Sequence, residues 1–344
     1  MQVIAGARHG GAETFFFRLV EAFARAGVSQ RAATRPHTGW RERLERVGVE
    51  TVSLPFGGLV DFTTRRALKR EVAAFRPDLV LAWMGRAARF SPAGPHVLVG
   101  RLGGYYDLRF FRRCHHLIGN TEALVEWIIA QGRPRERVHY LPNFVPETSA
   151  APVSRASLDT PEGAPLVVAL GRLHRNKAFD ILLAALANVQ GAYLWLGGEG
   201  ALRDDLEVLA RRLGVIDRVR FLGWRDDAAA LMQAADVVIC PSRQEPLGNV
   251  VLEAWAQRRP IIAAAAEGPR ALIETGRTGL VVPVDDPMAL ADAIGSLVAD
   301  PASARRLADA GHARFVADFS EAVVVRRYLD LFERLVGSCV ASRG

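Results

Sequence analysis

The sequence predicts an α/β protein made of two doubly wound parallel-sheet domains of the Rossmann-like type. Short apolar runs alternate with longer helical segments along the chain, which is typical of buried parallel strands covered by helices on both faces. The alternation runs twice, with a proline-rich segment between the two passes. A chain of 344 residues, 50% of them hydrophobic, is long enough for about two such domains.

The first pass begins with a strand that leads directly into an amphipathic helix, Glu13–Ala26. The apolar runs of this half predict strands at Met1–Ala5, Glu50–Leu54, Leu79–Trp83, Val97–Arg101, His116–Ile118 and Val138–Leu141. The second pass has helical patterns at Asp180–Asn188 and Arg203–Leu213. Its apolar runs predict strands at Leu166–Leu170, Tyr193–Leu196, Val219–Leu222, Val237–Cys240, Pro260–Ala263 and Leu280–Val282.

The boundary between the domains is predicted from the prolines of Pro142–Pro165, which interrupt apolar periodicity as a linker does. We therefore expect an N-terminal domain over 1–145, a linker over 146–165 and a C-terminal domain over 166–318. Two such domains should face each other across a cleft at the carboxyl ends of their strands. A last helix within 319–344 follows the completed second sheet and is a candidate to cross back onto the first domain.

Composition narrows the class of protein. Cys114, Cys240 and Cys339 are widely spaced and form no CxxC pair, which favours a reducing compartment. We see neither a basic leader before the first strand nor an uncharged apolar stretch of about 18 residues. We therefore expect a cytoplasmic protein, with peripheral contact at the inner face of the membrane as an option.

The charge of the chain is uneven. Residues 1–150 hold 22 Lys and Arg against 13 Asp and Glu, or +9, and the remainder holds 22 against 24, or −2, which together give the formal charge of +7. A basic N-terminal half favours an anionic partner such as nucleic acid, acidic lipid or a phosphorylated glycan. Arginine enrichment from genomic base composition would produce the same imbalance.

Glu245 and Glu253 are the most informative pair of residues. Glu245 lies in a Pro/Gly loop after an apolar run, and Glu253 lies about two turns into a helix that starts near Gly248. Backbone N–H groups at a helix start attract phosphate, and carboxylates on either side can hold the hydroxyls of a sugar nucleotide. A loop glutamate and a surface-helix glutamate are the alternative.

Glycines and cations follow other strands. The pair Gly10 and Gly11 opens the first helix and allows close approach of a phosphate or simply a tight turn. Arg172 and Lys177, after Gly171, stand where two cations would clamp a diphosphate leaving group. The next two strands are followed by Gly198, Gly223 and Trp224. The glycines permit tight turns. For Trp224 the sequence leaves three alternatives open: contact with a nucleobase, the core, or the surface. The histidines show no metal-binding spacing.

In this order, the motifs resemble those of glycosyltransferase family 4, which has the GT-B fold. The matching segments run from the first strand into the last third of the chain: Gly10–Glu13, Pro142–Val145, Gly171–Leu173 with Lys177, Gly197–Gly200, Phe221–Gly223, Pro241–Ser242, and Glu245 with Glu253 as the E-x7-E motif. The family transfers sugars from nucleotide donors with retention at the anomeric carbon and without a bound metal.

The resemblance implies a role for each matching residue. Arg172 and Lys177 would bind the donor diphosphate, Glu253 the ribose hydroxyls, and Glu245 the transferred sugar. Further donor contacts would come from Gly10, Gly11, Gly171, Gly198, Gly223, Trp224, Leu247, Gly248 and Asn249, and the catalytic set would be Glu245, Lys177 and Arg172.

The chain departs from the family where many members carry a histidine after the strand Val97–Arg101. Arg101 or Gly103 would replace it near the sugar. The aromatic and basic stretch that follows, Tyr105–Arg113, is typical of a surface for an anionic membrane or glycolipid, but also of an ordinary half-buried helix. The acceptor-side candidates are Arg101, Gly103, Tyr105, Arg109, Arg112 and Arg113.

We therefore predict a retaining hexosyltransferase that moves a sugar from a nucleotide-sugar, by family frequency a UDP-sugar, to an envelope glycan or a lipid-linked acceptor such as lipopolysaccharide. No cofactor and no metal are expected. The alternatives are a sugar-nucleotide epimerase on the same fold, for which the first domain shows no clear pair of acids, and a catalytically silent sugar-nucleotide-binding module. A nucleic-acid partner is not expected, because no recognised motif appears.

Overall fold

The computed structural model describes residues 1–8, 10–58, 61–147 and 150–341. The chain forms two compact units, which we call unit 1 (Met1–Phe144 with Glu321–Gly344) and unit 2 (Val145–Ser320). Residues 148 and 149 of the predicted linker and residues 342–344 of the last predicted segment lie outside the described residues. Each unit is built on one parallel β-sheet, as the repeated alternation of apolar runs and helical segments predicts.

Among the residues that the structure describes, the sheet of unit 1 has seven strands. These are β1 (Gln2–Ile4), β2 (Arg31–Thr34), β3 (Glu50–Ser53), β4 (Leu79–Trp83), β5 (Val97–Leu102), β6 (His116–Gly119) and β7 (Val138–Tyr140). They lie in the order β3-β2-β1-β4-β5-β6-β7, and every neighbouring pair is parallel. All six residues of β5 are buried, because a central strand of such a sheet is covered on both faces.

In the described part of unit 1, five helices connect these strands: α1 (Gly11–Arg25), α2 (Trp40–Glu45), α3 (Phe62–Phe75), α4 (Met84–Phe90) and α5 (Glu122–Ala130). Helix α1 buries a run of apolar side chains that includes Phe15, Phe16 and Phe23. Strand β2 is not among the predicted strands. Its residues Ala32 and Ala33 carry little strand propensity, and their place in the sheet is set by pairing with β1 and β3.

The sheet of unit 2 has six strands in its described residues. These are β8 (Leu166–Leu170), β9 (Tyr193–Gly197), β10 (Val219–Gly223), β11 (Val237–Cys240), β12 (Ile261–Ala264) and β13 (Leu280–Val282). Their order, β10-β9-β8-β11-β12-β13, is the doubly wound order 3-2-1-4-5-6 of the Rossmann fold. The chain therefore reverses its direction across the sheet between β8 and β11.

Over residues 150–320, seven helices cover this sheet: α6 (Phe179–Ala187), α7 (Arg203–Arg212), α8 (Ala228–Ala234), α9 (Asn249–Ala256), α10 (Glu267–Leu272), α11 (Pro287–Ala299) and α12 (Pro301–Asp318). The apolar core has one cluster on each face of the sheet. Val167 and Ile239 belong to one cluster, and Val168 and Val238 belong to the other. This alternation along β8 and β11 follows from the twofold repeat of a strand.

The described part of the predicted linker is packed against unit 2. The backbone N–H of Val153 donates to Ala230 O at 3.1 Å. The guanidinium of Arg155 donates to Ala164 O at 2.9 Å and to the Asp236 carboxylate at 3.0 Å. The structure thus assigns 150–165 to unit 2, and the chain leaves unit 1 between Phe144 and Val145.

The last helix, α13 (Glu321–Ala341), belongs to unit 1. It buries Val324, Tyr328, Leu331 and Leu335, which recur every three or four residues along one face. Tyr328 meets Phe23 of α1 edge to face, with ring centroids 5.9 Å apart. Among the described residues no helix, α13 included, is long and apolar enough to cross a membrane.

Candidate functional site

The candidate site lies at the carboxyl edge of the unit 2 sheet, where the strand order reverses. Strands β8 and β11 are parallel neighbours, so the segments that follow them, 171–178 and 241–248, leave the sheet at the same edge. Ligands of open α/β sheets bind outside the carboxyl ends of the strands at such a point. Lys177 lies on the first of these segments and Glu245 on the second.

The structure brings Lys177 and Glu245 together as an ion pair between Nζ and Oε2. Their side chains are 25% and 12% exposed, respectively. The other carboxylate oxygen, Glu245 Oε1, accepts the backbone N–H of Gly248 at 3.3 Å. The backbone carbonyl of Glu245 accepts the N–H of Gly268 at 2.8 Å. Glu245 is therefore held by its side chain and its main chain, and a cation lies directly beside it.

Arg172 is the second cation at this edge. It lies two positions after the last residue of β8, Leu170, and its side chain is exposed. In the part of the chain that the structure describes, no hydrogen bond or ion pair occupies its guanidinium. Arg172 is thus available for an anion at the edge that carries Lys177.

The glycines at or just after the carboxyl ends of β8, β9 and β10 hold these strand ends close together. Gly171 N–H donates to Gly197 O at 2.9 Å, and Gly198 N–H donates to Gly223 O at 2.7 Å. A Cβ atom on Gly198 would lie 1.9 Å from Gly171 O, and the φ of Gly198 is +142°. Since no L side chain fits there, glycine is needed for the backbone that precedes Arg172.

The helix predicted to open near Gly248 does so. Gly248 precedes α9 with a φ of +79°, and the helix begins at Asn249. Glu253 is half-buried and lies four residues after Asn249, which is about one turn rather than the predicted two. Leu247, which is half-buried, directly precedes Gly248 and Asn249 at this helix start. The backbone N–H groups at a helix start favour an anion.

Trp224 lies just after β10, at the same edge of the sheet. Its side chain is 71% exposed, which excludes the core among the three environments considered from the sequence. The indole Nε1 donates to Asp226 Oδ1 at 2.9 Å. An exposed indole fixed by a hydrogen bond presents a flat apolar surface, against which a nucleobase can stack.

The Gly10–Gly11 turn of unit 1 is built around Glu13. The Glu13 side chain is buried and folds back onto the loop before α1, where Oε1 accepts the Ala7 N–H at 2.8 Å. A Cβ atom on either Gly6 or Gly10 would lie 2.3 Å from a Glu13 carboxylate oxygen, whereas Gly11 has open space. Sequence reasoning placed Glu13 in the motif but missed this contact, which fixes the loop shape.

The structure corrects the prediction that Arg101 is an acceptor-side residue, because it buries this side chain. Its residue is only 2% exposed, and the guanidinium carbon lies 4.5 Å from the Phe15 ring centroid and 4.6 Å from that of Trp83. Nε donates to Tyr328 Oη at 2.9 Å, and Nη2 donates to Asn143 Oδ1. Two aromatic faces and two polar acceptors stabilise the buried charge, so Arg101 belongs to the core of unit 1 rather than to an acceptor surface.

The other acceptor-side candidates do reach the surface of unit 1. Tyr105 is 50% exposed and packs edge to face on Trp127 at 5.2 Å. Arg109 is exposed and pairs with Asp107 at 2.7 Å, and it lies in a 3-10 helix, Leu108–Phe111, rather than in an α-helix. The partly exposed Gly103 precedes this surface, and the exposed Arg112 and Arg113 follow Arg109.

The described residues contain no cluster of three or more His, Cys, Asp or Glu side chains placed to hold a metal ion. Burial raises the pKa of the Cys114 thiol to about 12 and that of the Cys240 thiol to about 11. Both thiols are therefore neutral near pH 7. That transfer needs no metal stays a prediction.

Sequence comparison relates most of the chain to known enzymes. The model for Glycosyltransferase Family 4 matches residues 9–148, and that for glycosyl transferases group 1 matches residues 164–300. Two lipopolysaccharide core biosynthesis glycosyltransferases of Rhizobium meliloti (strain 1021), LpsE and LpsD, are each 38% identical to this chain. The alignments cover 94% of this chain in both cases, with 96% of LpsE and 95% of LpsD.

Solved structures show the same fold. HepE of Anabaena, crystallised in complex with UDP, has a TM-score of 0.84 at 22% identity, covering 97% of this chain and 99% of HepE. WaaG, a glycosyltransferase involved in lipopolysaccharide biosynthesis, has a TM-score of 0.73 at 19% identity, covering 96% of this chain and 98% of WaaG. These matches and the two parallel sheets confirm the predicted GT-B fold. The chain therefore belongs to glycosyltransferase family 4, as an enzyme of the hexosyltransferase class.

Proposed function

We propose that this chain transfers a hexose from a UDP-sugar to a lipopolysaccharide or a related envelope glycan, with retention at the anomeric carbon. The observation that carries the proposal is the Lys177–Glu245 pair. It lies at the carboxyl edge of the unit 2 sheet, where the strand order reverses, beside the start of α9. Support for the acceptor class comes from the similarity to LpsE and LpsD, and support for the donor comes from the fold shared with the UDP complex of HepE.

In the proposed mechanism the departing diphosphate is the group that the site stabilises. Lys177, Arg172 and the N-terminal amides of α9 supply positive charge where negative charge develops, and preorganised charge of this kind is usually the largest catalytic term. A bound diphosphate competes with Glu245 for the Lys177 ammonium. The Glu245 carboxylate then turns to the hydroxyls of the transferred sugar.

Retention at the anomeric carbon follows in this proposal from a front-face displacement. The acceptor hydroxyl attacks on the side from which the diphosphate leaves and passes its proton to the departing phosphate oxygen, while the sugar passes through a cation-like state. Charge stabilisation of the leaving group is then the main demand, rather than the paired carboxylates of most glycosidases. No resident metal is required in this scheme, because protein cations and helix amides neutralise the diphosphate.

The test is a panel of UDP-, GDP- and ADP-sugars, followed by a transfer assay to lipopolysaccharide core acceptors in the presence of chelator. A donor present at 100 times its dissociation constant should stabilise the folded enzyme by about 2.7 kcal/mol. We expect that stabilisation from a UDP-sugar, and transfer with a retained anomeric configuration by NMR of the product. Stabilisation by no UDP-sugar, an inverted product, or activity abolished by chelator and restored by Mg²⁺ would contradict the corresponding part of the proposal.

We predict that the two glutamates of the E-x7-E motif fail in different ways. Glu253→Gln should weaken the binding of free UDP about tenfold or more, because a carboxylate that accepts ribose hydroxyls contributes about 1.5–3 kcal/mol. Glu245→Gln should lower kcat more than it weakens UDP binding, because its partner, the sugar, is at the reacting centre. Calorimetry with UDP and turnover at saturating donor separate the two effects.

The reverse pattern, with Glu245→Gln weakening UDP and Glu253→Gln leaving it unchanged, would mean that the ribose and the sugar lie the other way round. Wild-type behaviour of both variants would remove the pair from the donor site altogether.

We also propose that unit 1 provides the acceptor side and contacts anionic membrane at the inner face, through the surface of Tyr105, Arg109, Arg112 and Arg113. Replacing the three arginines with glutamine should weaken binding to anionic liposomes about 100-fold, because each cation near such a surface contributes about 1 kcal/mol. Added salt should weaken binding of the wild type. Co-sedimentation with anionic and neutral liposomes measures the effect.

A matched control removes the same charge elsewhere on unit 1. It replaces Arg66, Lys69 and Arg70 of α3, which are all exposed, with glutamine. Equal losses in the two triple variants would mean that net charge, rather than this surface, attracts the membrane. Equal binding of the wild type to anionic and neutral liposomes would contradict the proposed membrane contact. It would favour a water-soluble acceptor.

A further inference from the structure

Arg243 joins the loop that carries Glu245 to three other segments of unit 2. Its guanidinium forms a two-bond fork with Asp180, with Nη1–Oδ1 at 3.0 Å and Nη2–Oδ2 at 2.7 Å. Nε donates to the Asp285 carboxylate, and Nη1 donates also to Arg175 O at 2.9 Å. The partners lie in the first turn of α6, in the loop after β13 and in the turn that leads to Lys177.

The main chain at the same place connects the two halves of the candidate site directly. The N–H groups of Arg243 and Gln244 donate to Asn176 O at 2.8 and 3.3 Å, respectively. Asn176 Nδ2 donates to Gln244 Oε1 at 3.0 Å. Asn176 is followed by Lys177, and Gln244 is followed by Glu245. The bonds therefore fix the relative position of the two residues that form the ion pair.

The geometry of Arg243 separates it from ordinary surface ion pairs, which contribute little. Its side chain is only 21% exposed, and it binds one carboxylate with two parallel hydrogen bonds, a second carboxylate with one, and a carbonyl with another. A planar guanidinium can serve all of these acceptors at once, whereas an ammonium cannot. Burial alone would raise the pKa of Asp180, but its bonds to Arg243 hold that pKa below the ordinary value.

We infer that Arg243 is a positioning residue for the transfer reaction, which aligns the Glu245 loop with the Lys177 turn through Asp180, Asp285 and the carbonyl of Arg175. This inference rests on the proposed function for its link to turnover. Arg243 acts through the loop and its neighbours, since four of the five N–H groups of its guanidinium donate to them. Its removal should therefore misalign groups that act in the transition state more than it weakens ground-state binding of UDP.

The experiment compares Arg243→Gln, Arg243→Lys and the control Arg277→Gln. Arg277 is an exposed arginine of unit 2 paired with Glu274 at 2.5 Å, and it lies outside the loops of the candidate site. Arg243→Gln should lower kcat about 10- to 100-fold, while the affinity for UDP changes less than threefold. Arg243→Lys should recover part of kcat, because it retains one ion pair but loses the fork. Arg277→Gln should match the wild type.

Hydrogen exchange provides a second readout that does not depend on turnover. Arg243→Gln should raise amide exchange in the peptide spanning 241–252, and Arg277→Gln should leave it unchanged. Unchanged exchange in Arg243→Gln, or a wild-type kcat despite raised exchange, would overturn the positioning role. A wild-type enzyme that turns over no UDP-sugar would refute the proposed function, whereas raised exchange in that case would still show that Arg243 orders the loop.

Discussion

Replacing Lys177 with alanine should lower kcat by about 10²–10³-fold, because the loss of one preorganised group that stabilises developing charge typically costs about 2.7–4 kcal/mol. Lys177 lies at the reversal point of the unit 2 sheet and is only 25% exposed, so solvent screens its charge less than that of a surface lysine. Its removal also leaves the Glu245 carboxylate without its cation. Arg172→Ala should act in the same direction, with a smaller effect because Arg172 is exposed.

The matched control for this pair is Arg175→Ala, which removes an exposed cation from the same turn and keeps the backbone carbonyl that Arg243 uses. Steady-state kinetics at saturating donor and acceptor, with UDP binding by calorimetry, distinguish lost catalysis from lost affinity. Near-normal turnover in both Lys177→Ala and Arg172→Ala would refute the diphosphate clamp. An equal loss in Arg175→Ala would show that any change in this turn disturbs the site.

The sequence was most informative where local pattern decides the structure. The predicted strands Leu166–Leu170 and Val237–Cys240 coincide with β8 and β11, because buried parallel strands form short continuous apolar runs. Once these strands are placed, topology alone brings the residues that follow them to one edge of the sheet. The proximity of Lys177 and Glu245, which are 68 residues apart, is therefore predictable without any knowledge of side-chain contacts.

What the sequence did not reveal depends on contacts between distant segments. Arg101 resembles a surface cation beside a glycine loop, yet the aromatic rings that enclose it come from Phe15 and Trp83, and its polar partners come from Asn143 and Tyr328. The Arg243 network was missed for the same reason, since its carboxylate partners are 63 and 42 residues away. Nothing in local spacing indicates such partners, because only the folded chain brings them together.

A second large effect on transfer is expected where Gly198 packs against Gly171, at the end of β8. Gly198→Ala should lower kcat/KM for transfer about 100-fold, because the new Cβ would lie 1.9 Å from Gly171 O and 2.8 Å from Gly171 C. Real Cβ atoms do not approach backbone so closely, so the strand end that precedes Arg172 must move. A displacement of about 1 Å in a catalytic group can cost about 100-fold in rate. The positive φ adds strain, which should also lower the melting temperature.

Gly214→Ala is the control, since Gly214 also has a positive φ, +69°, but a Cβ atom there would meet no atom within 4 Å. It should lower the melting temperature through backbone strain alone and leave kcat/KM near the wild-type value. A comparison of the two variants, by transfer kinetics and thermal unfolding, therefore separates backbone strain from displacement of the site. If Gly198→Ala retained wild-type kcat/KM, the close packing of Gly198 on Gly171 would be unrelated to the position of Arg172. The glycine cluster would then be a turn that serves only the fold.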